Sequence, residues 1–288
     1  MPSPLSQLMQ TLDLEMIEQN LFRGRSPNVG WQRIFGGLVI SQALAAASRT
    51  VDEERDVHSL HAYFLRPGDP SIPIIYDVDR IRDGGSFTTR RVRAIQHGHA
   101  IYSMSASFQL REEGLEHFIE MPDVPGPDDL PSARELARLH AAHAPEIVRR
   151  YWESERAIEI RPVDVRHYMS SERLEPRQHV WFRSNGELPA DYRTWAATLA
   201  YASDMTLLDT SLFPHGLSMF DPRLQGASLD HAIWFHRRSD ITGWHLYSQD
   251  SPNASGGRGF NRGSIYTRDG RLVASVAQEG LIRLRRNA

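Results

Sequence analysis

His61-Ala62-Tyr63-Phe64 recurs in the second half of the chain as His231-Ala232-Ile233-Trp234-Phe235, and this repetition is the main sequence evidence for the fold. Each copy is followed by a pair of glycines, a phenylalanine and a hairpin turn. The two turns are His97-Gly98 and Asp269-Gly270. Self-similarity of this kind indicates a duplicated structural unit, so we predict that the chain contains the same unit twice.

An Ala-rich segment precedes each copy, near residues 36–49 and 192–209, and predicts a helix that lies against a sheet. The remaining segments are rich in Ile, Val, Tyr and Phe, which favour strands. Each half is therefore predicted to contain a strand, a helix and four mostly antiparallel strands. The fold class is α+β: a double hotdog of two repeats, each with one long helix wrapped by an antiparallel sheet.

The segment between the two halves differs from them in composition, and its position predicts where the chain divides into domains. The N-terminal hotdog repeat is expected at residues 1–112 and the C-terminal repeat at residues 157–288. Residues 113–156 are expected to form a linker rich in proline and aspartate, with short helices.

Two short helices are predicted inside this linker. Ser132-Ala-Arg-Glu135 predicts a capping box for a helix that continues through about Ala142. Pro145 then separates a second short helix from the first.

The composition excludes several classes of protein. A chain of 288 residues with a formal net charge of -3 indicates neither a nucleic-acid surface nor an acidic tail. No stretch approaches the roughly 20 apolar residues that cross a bilayer, and the amino terminus lacks the basic region of a signal peptide. With no cysteine, the chain has no thiolate ligand or nucleophile, and a reducing, cytoplasmic location is expected. The 13 histidines show no metal-binding spacing, so we expect neither a metal nor a cofactor.

Asp204 is the first candidate for a catalytic residue. If residues 192–209 form one helix, its neighbours three and four positions away are Ala200, Tyr201, Leu207 and Leu208. All four are apolar or aromatic. A lone carboxylate on a buried stripe costs free energy unless it is hydrogen-bonded or used, so a functional role is favoured. Asp191 and Asp209 instead suit helix ends, where they would cap or face solvent.

Gln278 is indicated by strand periodicity, whereas Ser228 is not. Along residues 271–285 the even positions are otherwise apolar or glycine, and Gln278 lies among them while Glu279 points to the opposite face. A buried glutamine can also be purely structural, so both roles stay open. Ser228 opens a predicted strand over Ser228–Arg237, and serine is common at strand starts, which favours a structural role for this residue taken alone.

Several longer strings resemble the acyl-CoA thioesterase II family, in the same order and over nearly the whole chain. They are Phe35-Gly-Gly37, His58-Ser-Leu-His-Ala-Tyr-Phe-Leu-Arg-Pro-Gly-Asp69, Tyr201-Ala-Ser-Asp204, Leu229-Asp-His-Ala-Ile-Trp-Phe-His-Arg237 and Gln278-Glu-Gly280. The resemblance implies an active site with an aspartate on the helix, a threonine or serine on the strand and a glutamine on the last strand. These positions match Asp204, Ser228 and Gln278, and serine keeps the hydroxyl of threonine.

The resemblance also implies an activity, the hydrolysis of fatty acyl-CoA by an activated water without a covalent intermediate. A thioester needs an oriented water and donors for the developing oxyanion. We expect Asp204 to be the general base or water-orienting carboxylate, and Ser228 and Gln278 to fix the same water or polarise the carbonyl. Backbone N–H groups at a helix start, near Phe35-Gly36-Gly37 or in the second half, are candidate oxyanion donors.

The first repeat serves as an internal control for this site. Its helix carries Gln42 where the second repeat has Asp204, and matching the two His-Ala pairs places His58 opposite Ser228. The alternation makes Phe108, rather than Gln109, the counterpart of Gln278. We therefore expect one active site per chain, in the C-terminal repeat.

Three further residues are candidates for substrate contacts. Arg258 and Arg262 lie in the Gly-rich run 257–263 and suit CoA phosphates, although solvated surface arginines are the commoner case. His58 has a pKa range that suits a general base, and the alternation places it with Leu60 on a face that points inward. Its repeat lacks a matching carboxylate, which favours a structural role.

The sequence gives less support to other functions. No Gly-x-Ser-x-Gly elbow marks a serine nucleophile, since Gly216-Leu-Ser-Met-Phe220 breaks at its last position. A hotdog enoyl-CoA hydratase would want Asp-x-Asn-Pro-x-x-x-His, which is absent. A catalytically silent acyl-CoA-binding or interaction module is the other alternative. Because hotdog units pair through their sheets, a homodimer or homotetramer is expected.

Overall fold

The computed structural model describes residues 2–27 and 33–285. Its helices are α1 (Pro4–Leu12), α2 (Gly36–Ser48), α3 (Ala133–Leu139), α4 (Glu146–Glu153), α5 (Arg166–Met169) and α6 (Tyr192–Ser203). Strands of the first half are β1 (Glu15–Glu18), β2 (Leu21–Gly24), β3 (Arg55–Phe64), β4 (Ile74–Asp83), β5 (Phe87–Gln96) and β6 (His99–Leu110). Those of the second are β7 (Ile158–Pro162), β8 (Arg177–Ser184), β9 (Leu224–Ser228), β10 (Asp230–Phe235), β11 (His245–Ser255), β12 (Arg258–Thr267) and β13 (Leu272–Leu284).

One antiparallel sheet runs through both halves, in the order β1-β2-β4-β5-β6-β3-β10-β13-β12-β11-β8-β7, and β9 also pairs with β13. The first half contributes β2-β4-β5-β6-β3 and the second β8-β11-β12-β13-β10, which is the same arrangement of corresponding strands. The halves join where β3 pairs with β10. This symmetry confirms the predicted double hotdog, although two strands rather than one precede the main helix in each half, and α1 was not predicted.

The two long helices pack against each other as well as against the sheet. In α2, Ile40, Ala43 and Ala46 have no exposed surface, because small side chains let the sheet and α6 approach closely. Helix α6 begins where Asp191 accepts hydrogen bonds from the N–H groups of Arg193 and Thr194. The predicted capping role of Asp191 is therefore confirmed.

The prediction of one helix over residues 192–209 is wrong at its end. Helix α6 stops at Ser203, Asp204 is its C-cap, and a separate 3₁₀ segment follows at Leu207–Ser211. The cause lies at Thr206, whose carbonyl accepts a hydrogen bond from Gln178 and whose hydroxyl accepts one from Gln249. The side chains of Gln178 and Gln249, which belong to the sheet, thus bind Thr206 where a continuing helix would supply backbone hydrogen bonds.

The letter match between the two His-Ala pairs is out of register with the sheet. His231 is fully buried, whereas His61 is exposed on the opposite face of the pair. His231 lies across from Ala62, and Ala232 lies across from His61. Paired residues of antiparallel strands point to the same face, so His231 and Ala62 point inward and Ala232 and His61 point outward. The inward residues of the two repeats therefore align only if the sequence match between the repeats is shifted by one residue. The repeat is real, but the pairing of His58 with Ser228 was wrong.

The linker contains the two predicted short helices. Ser132 and Glu135 form the expected capping box, and α3 ends at Leu139, slightly before the predicted end. Helix α4 begins directly after Pro145. Because β6 ends at Leu110 and β7 begins at Ile158, we keep the division into residues 1–112, 113–156 and 157–288 as a proposal.

Candidate active site

Asp204, Ser228 and Gln278 meet at the junction of α6, β9 and β13. Gln278 Nε2 donates to Asp204 Oδ1 over 2.9 Å and also to Ser228 Oγ. Ser228 Oγ donates to the same carboxylate oxygen over 3.4 Å. Three residues far apart in the sequence thus form one connected hydrogen-bond cluster.

Ser228 reaches this cluster because the strand that contains it is interrupted. It ends β9 and does not open a continuous strand over Ser228–Arg237, as the sequence had predicted. At the interruption, Leu229 N–H donates to the carbonyl of Glu279, and the Asp230 side chain accepts from Glu279 N–H. The side chain of Asp230 thereby replaces a ladder hydrogen bond and keeps both strands against β13.

Gln278 lies on the buried face of β13, as the alternation predicts. Only 1% of it is exposed, and its same-face neighbours Ala274 and Val276 are also buried. Across from it on β12 is Asn261, another fully buried amide. An amide in this position must be hydrogen-bonded to avoid a desolvation penalty, and Asp204 and Ser228 accept from it.

The N-terminal repeat completes the surroundings of Asp204. Gly37, at the start of α2, donates its backbone N–H to the carboxylate. A Cβ at Gly36 would come within 2.6 Å of Asp204 Oδ2, and one at Gly37 within 2.5 Å of the carbonyl of Tyr201. The two glycines therefore let the positive end of the α2 dipole approach the carboxylate. The first repeat is more than a scaffold, because it supplies a donor to the cluster.

Burial raises the pKa of Asp204 to about 7, although hydrogen bonds from Gln278, Ser228 and Gly37 oppose the shift. The side chain is only 4% exposed. Desolvation disfavours the ionised form, whereas the three donors favour it. The result is a carboxyl group that can take up and release a proton near neutral pH.

His231 belongs to the same cluster, and the sequence analysis missed it. The imidazole is fully buried, with Nε2 2.9 Å from Ser203 Oγ and Nδ1 3.9 Å from Asp204 Oδ1. Burial lowers its pKa to about 4, so the ring is neutral. Its position on the inward face of β10, with Ile233 and Phe235, was the available signal, but matching His231 to His61 concealed it.

The three residues predicted to contact substrate lie apart from this cluster. His58 Nε2 is 2.8 Å from Ser107 Oγ, in the outward row of serines on β6, because a bulge between Val57 and Ser59 turns it. The prediction that His58 points inward was wrong. Arg258 is paired with Glu279 and Arg262 with Asp250.

Asp209 was predicted to cap a helix or face solvent, and this prediction is wrong. It is 8% exposed, its pKa is raised to about 7 by burial, and Tyr168 is its hydrogen-bonding neighbour. The end of α6 at Ser203 places Asp209 in the 3₁₀ segment, whose other residues are also buried. It therefore resembles Asp204 in burial and pKa without joining the cluster.

Gln42, which the sequence analysis compared with Asp204, has a structural role in the first repeat. Gln42 is fully buried, and its amide group donates to the carbonyls of Thr11 and Arg25 and accepts from the hydroxyl of Tyr76. Phe108, the counterpart predicted for Gln278, is buried as well.

Within the described ranges, no group of three or more His, Asp or Glu side chains is arranged to hold a metal ion. None of the helices that the structure describes is long and apolar enough to cross a membrane.

Comparison with known proteins covers both repeats. Residues 147–281 match a protein family described as acyl-CoA thioesterase, and residues 22–109 match one described as acyl-CoA thioesterase N-terminal domain. The chain is 42% identical to acyl-CoA thioesterase 2 of Haemophilus influenzae, over 97% of this chain and 98% of that protein. It is 41% identical to mouse acyl-coenzyme A thioesterase 8, over 95% and 88% of the two chains.

Solved structures agree with these sequence matches. A crystal structure of an acyl-CoA thioesterase II from Mycobacterium marinum superposes with a TM-score of 0.80 at 43% identity, covering 96% of this chain and 98% of that one.

Proposed function

The chain belongs to the acyl-CoA thioesterase II family and is an acyl-CoA thioesterase, and we propose that it hydrolyses fatty acyl-CoA by a water molecule activated by Asp204, Ser228 and Gln278. The observation that carries this proposal is the buried carboxylate of Asp204, held by three donors with a pKa of about 7. A protein that only binds acyl-CoA gains nothing from the desolvation of this group.

In the proposed reaction, ionised Asp204 removes a proton from the water as the water oxygen attacks the thioester carbonyl carbon. The new C–O bond places negative charge on the carbonyl oxygen. Collapse of this intermediate breaks the C–S bond and releases CoA as a thiolate, which takes up the proton from Asp204. A thiol with a pKa of about 8.5, if cysteine is the guide, leaves with little acid assistance.

Gln278 and Ser228 orient the components of this step. The amide of Gln278 donates to both Asp204 and Ser228, so it fixes one carboxylate oxygen and the serine hydroxyl relative to each other. His231 lies beside Gln278, which opposes the lowering of the His231 pKa by burial. In the part of the chain that the structure describes, Gln278 Oε1 and His231 Nδ1 are both buried without a hydrogen-bond partner, and their proximity supports a role for His231 in positioning the amide.

Free thiol release from acyl-CoA esters tests the function. We expect the wild-type protein to release thiol from members of a series that extends from butanoyl-CoA to octadecanoyl-CoA, and the ranking of the series measures the acyl length preference. No release from any member would instead favour the silent binding module.

The pair of Asp204 and His231 raises the hydratase alternative again, because dehydratase-type sites also combine these residue types. The His231 imidazole, however, has no exposed surface, and its Nε2 is engaged with Ser203 Oγ, which favours a positioning role over direct contact with a substrate. Loss of enoyl absorbance from an enoyl-CoA without thiol release would contradict the thioesterase assignment.

The pH dependence of the reaction follows from the pKa of Asp204. Because Asp204 must be ionised to accept a proton and its pKa is about 7, kcat/KM is expected to rise roughly tenfold per pH unit below this value and to level off above it. Steady-state thiol release across about pH 5.5 to 8.5 measures the profile. The Asp209→Asn variant removes the other carboxyl group with a pKa of about 7 and should keep the midpoint. A flat wild-type profile would contradict Asp204 as the base.

Two further proposals concern the setting of the enzyme. The cysteine-free sequence supports a cytoplasmic, reducing location. Trp234 and Tyr63, on the outer face of the central strands, are 38% and 63% exposed. These aromatic side chains support pairing of sheets in a homodimer or homotetramer.

A further inference from the structure

A cavity of about 440 Å³ opens at the end of the sheet beyond Gln278. Its lining combines the ends of β11, β12 and β13 with Arg223, which precedes β9, and with the segment that follows the 3₁₀ turn at Leu207–Ser211. Among the lining residues are Arg173, Leu212, Leu217, Arg223, Arg258 and Ile282. The volume lies in the range of small-molecule sites, and no residue of the catalytic cluster lines it.

The rim of this cavity is strongly basic in a chain whose net charge is -3. Arg223 is paired with Asp221 and Arg258 with Glu279. Arg173 also lines the cavity and, within residues 2–27 and 33–285, its side chain has no ion pair or hydrogen bond.

Further positive charge comes from the end of β13. A Cβ at Gly257, which lines the cavity, would lie 3.9 Å from Nε of Arg283, so this side chain extends along the rim. Arg285 follows it and donates its backbone N–H to the carbonyl of Arg223. Neither side chain forms an ion pair with any described residue, so the rim has an excess of positive charge that favours a ligand with several anionic groups.

The inner wall of the cavity is apolar, since Leu212, Leu217 and Ile282 line it. A ligand that matches both the apolar wall and the basic rim has a flat or apolar part as well as phosphates. Arginine is well suited to phosphate because its planar guanidinium donates two parallel hydrogen bonds.

The position of the cavity relates it to the catalytic cluster. Ile282 lies four residues beyond Gln278 on the same face of β13, roughly 13 Å away at the rise of an extended strand. Gly280 lies between them and is covered by Leu208. A ligand that occupies both places therefore needs a slender arm that crosses Leu208 and carries its reactive end toward Asp204.

We propose that this basic cavity binds the phosphorylated nucleotide end of the CoA group, while the pantetheine arm crosses Leu208 and presents the thioester to the cluster. This inference rests on the proposed function, since it assigns CoA as the leaving group. In CoA, the adenosine carries a 3′-phosphate and a 5′-pyrophosphate. Its adenine base would pack on the apolar wall, and the phosphates would bind the arginines.

The test combines binding with kinetics for an Arg173→Ala/Arg283→Ala double variant. Neither side chain has an ion-pair partner among the described residues, so their removal leaves no such carboxylate unpaired. Arg91→Ala is the control, because Arg91 forms an exposed ion pair with Asp79 in the first repeat.

Calorimetry with adenosine 3′,5′-bisphosphate measures the nucleotide site without any reaction. We expect the wild type and Arg91→Ala to bind it and the double variant to bind it about tenfold more weakly or worse, from the loss of charge-assisted hydrogen bonds. No binding by the wild type, or equal binding by the double variant, overturns the proposal. Binding by a wild type that releases no thiol would sink the thioesterase function and leave the nucleotide site standing.

Kinetics with matched substrates localises the effect. For the double variant, kcat/KM should fall about tenfold with acyl-CoA, mainly through KM, and by less than about twofold with the corresponding acyl-pantetheine, which lacks the nucleotide. Equal losses with both substrates would show that the arginines act on the fold or on the cluster instead.

Discussion

Replacing Asp204 by Asn is expected to lower kcat for acyl-CoA hydrolysis by about a thousandfold, within the range attributed to general base catalysis. Asparagine has the same shape, and its side-chain oxygen can still accept the hydrogen bond from Gln278, but it cannot take a proton from water. Thiol release under saturating acyl-CoA measures the loss. Turnover close to that of the wild type would exclude Asp204 as the base.

Asp209→Asn provides the matched control for this substitution. Both aspartates are buried with pKa values of about 7, but only Asp204 contacts Ser228 and Gln278. Because burial raises both folded-state pKa values, the stability that each carboxyl group contributes is present at low pH and is lost as the pH rises through about 7. Both Asn variants should therefore unfold at or above the wild-type temperature at pH 8, and only Asp204→Asn should lose activity.

Replacing Gln278 by Met is expected to lower kcat by roughly a hundredfold and to move the acid limb of the pH profile upward. Methionine fills a similar volume but removes the donor to Asp204 and Ser228. Without that donor, the ionised carboxylate loses a favourable hydrogen bond, so the pKa of Asp204 rises. A pH profile of kcat/KM measures the midpoint, and an unmoved midpoint would contradict this role.

Gln42→Met is the control for the second substitution, since Gln42 is the fully buried glutamine of the first repeat. It leaves the carbonyls of Thr11 and Arg25 and the hydroxyl of Tyr76 without their amide partner. The expected result is a lower unfolding temperature and a wild-type pH midpoint. If the two variants behaved alike, Gln278 would have a purely structural role.

The candidate site was only partly predictable, and the reasons differ from residue to residue. Gln278 was placed on the buried face of β13 by alternation alone, because a strand has a period of two over its whole length. Asp204 was selected on the assumption that it lies inside a helix over residues 192–209. In the structure the helix ends at Ser203, so the residue was found although this assumption was wrong. Ser228 depended on the family resemblance, since a serine at the end of a strand has no distinctive pattern.

His231 and Gly37 show what the sequence analysis could not reach. The letters of the His-Ala pairs concealed the burial of His231, because similarity of letters ignores which face a strand residue occupies. Gly37 lies more than a hundred residues from Asp204 in the chain, and only the packing of α2 against α6 brings its N–H to the carboxylate.

Local periodicity and turn chemistry were enough to predict the duplicated architecture, the antiparallel strands and the buried face of β13. The end of α6, the inward position of His231 and the contribution of both repeats to the surroundings of Asp204 became visible only in the folded chain. Desolvation and hydrogen bonding at these places depend on neighbours that are distant in the sequence. Burial raises the pKa of Asp204 to about 7 against the opposing hydrogen bonds from Gln278, Ser228 and Gly37, and no pattern local to residue 204 contains that information.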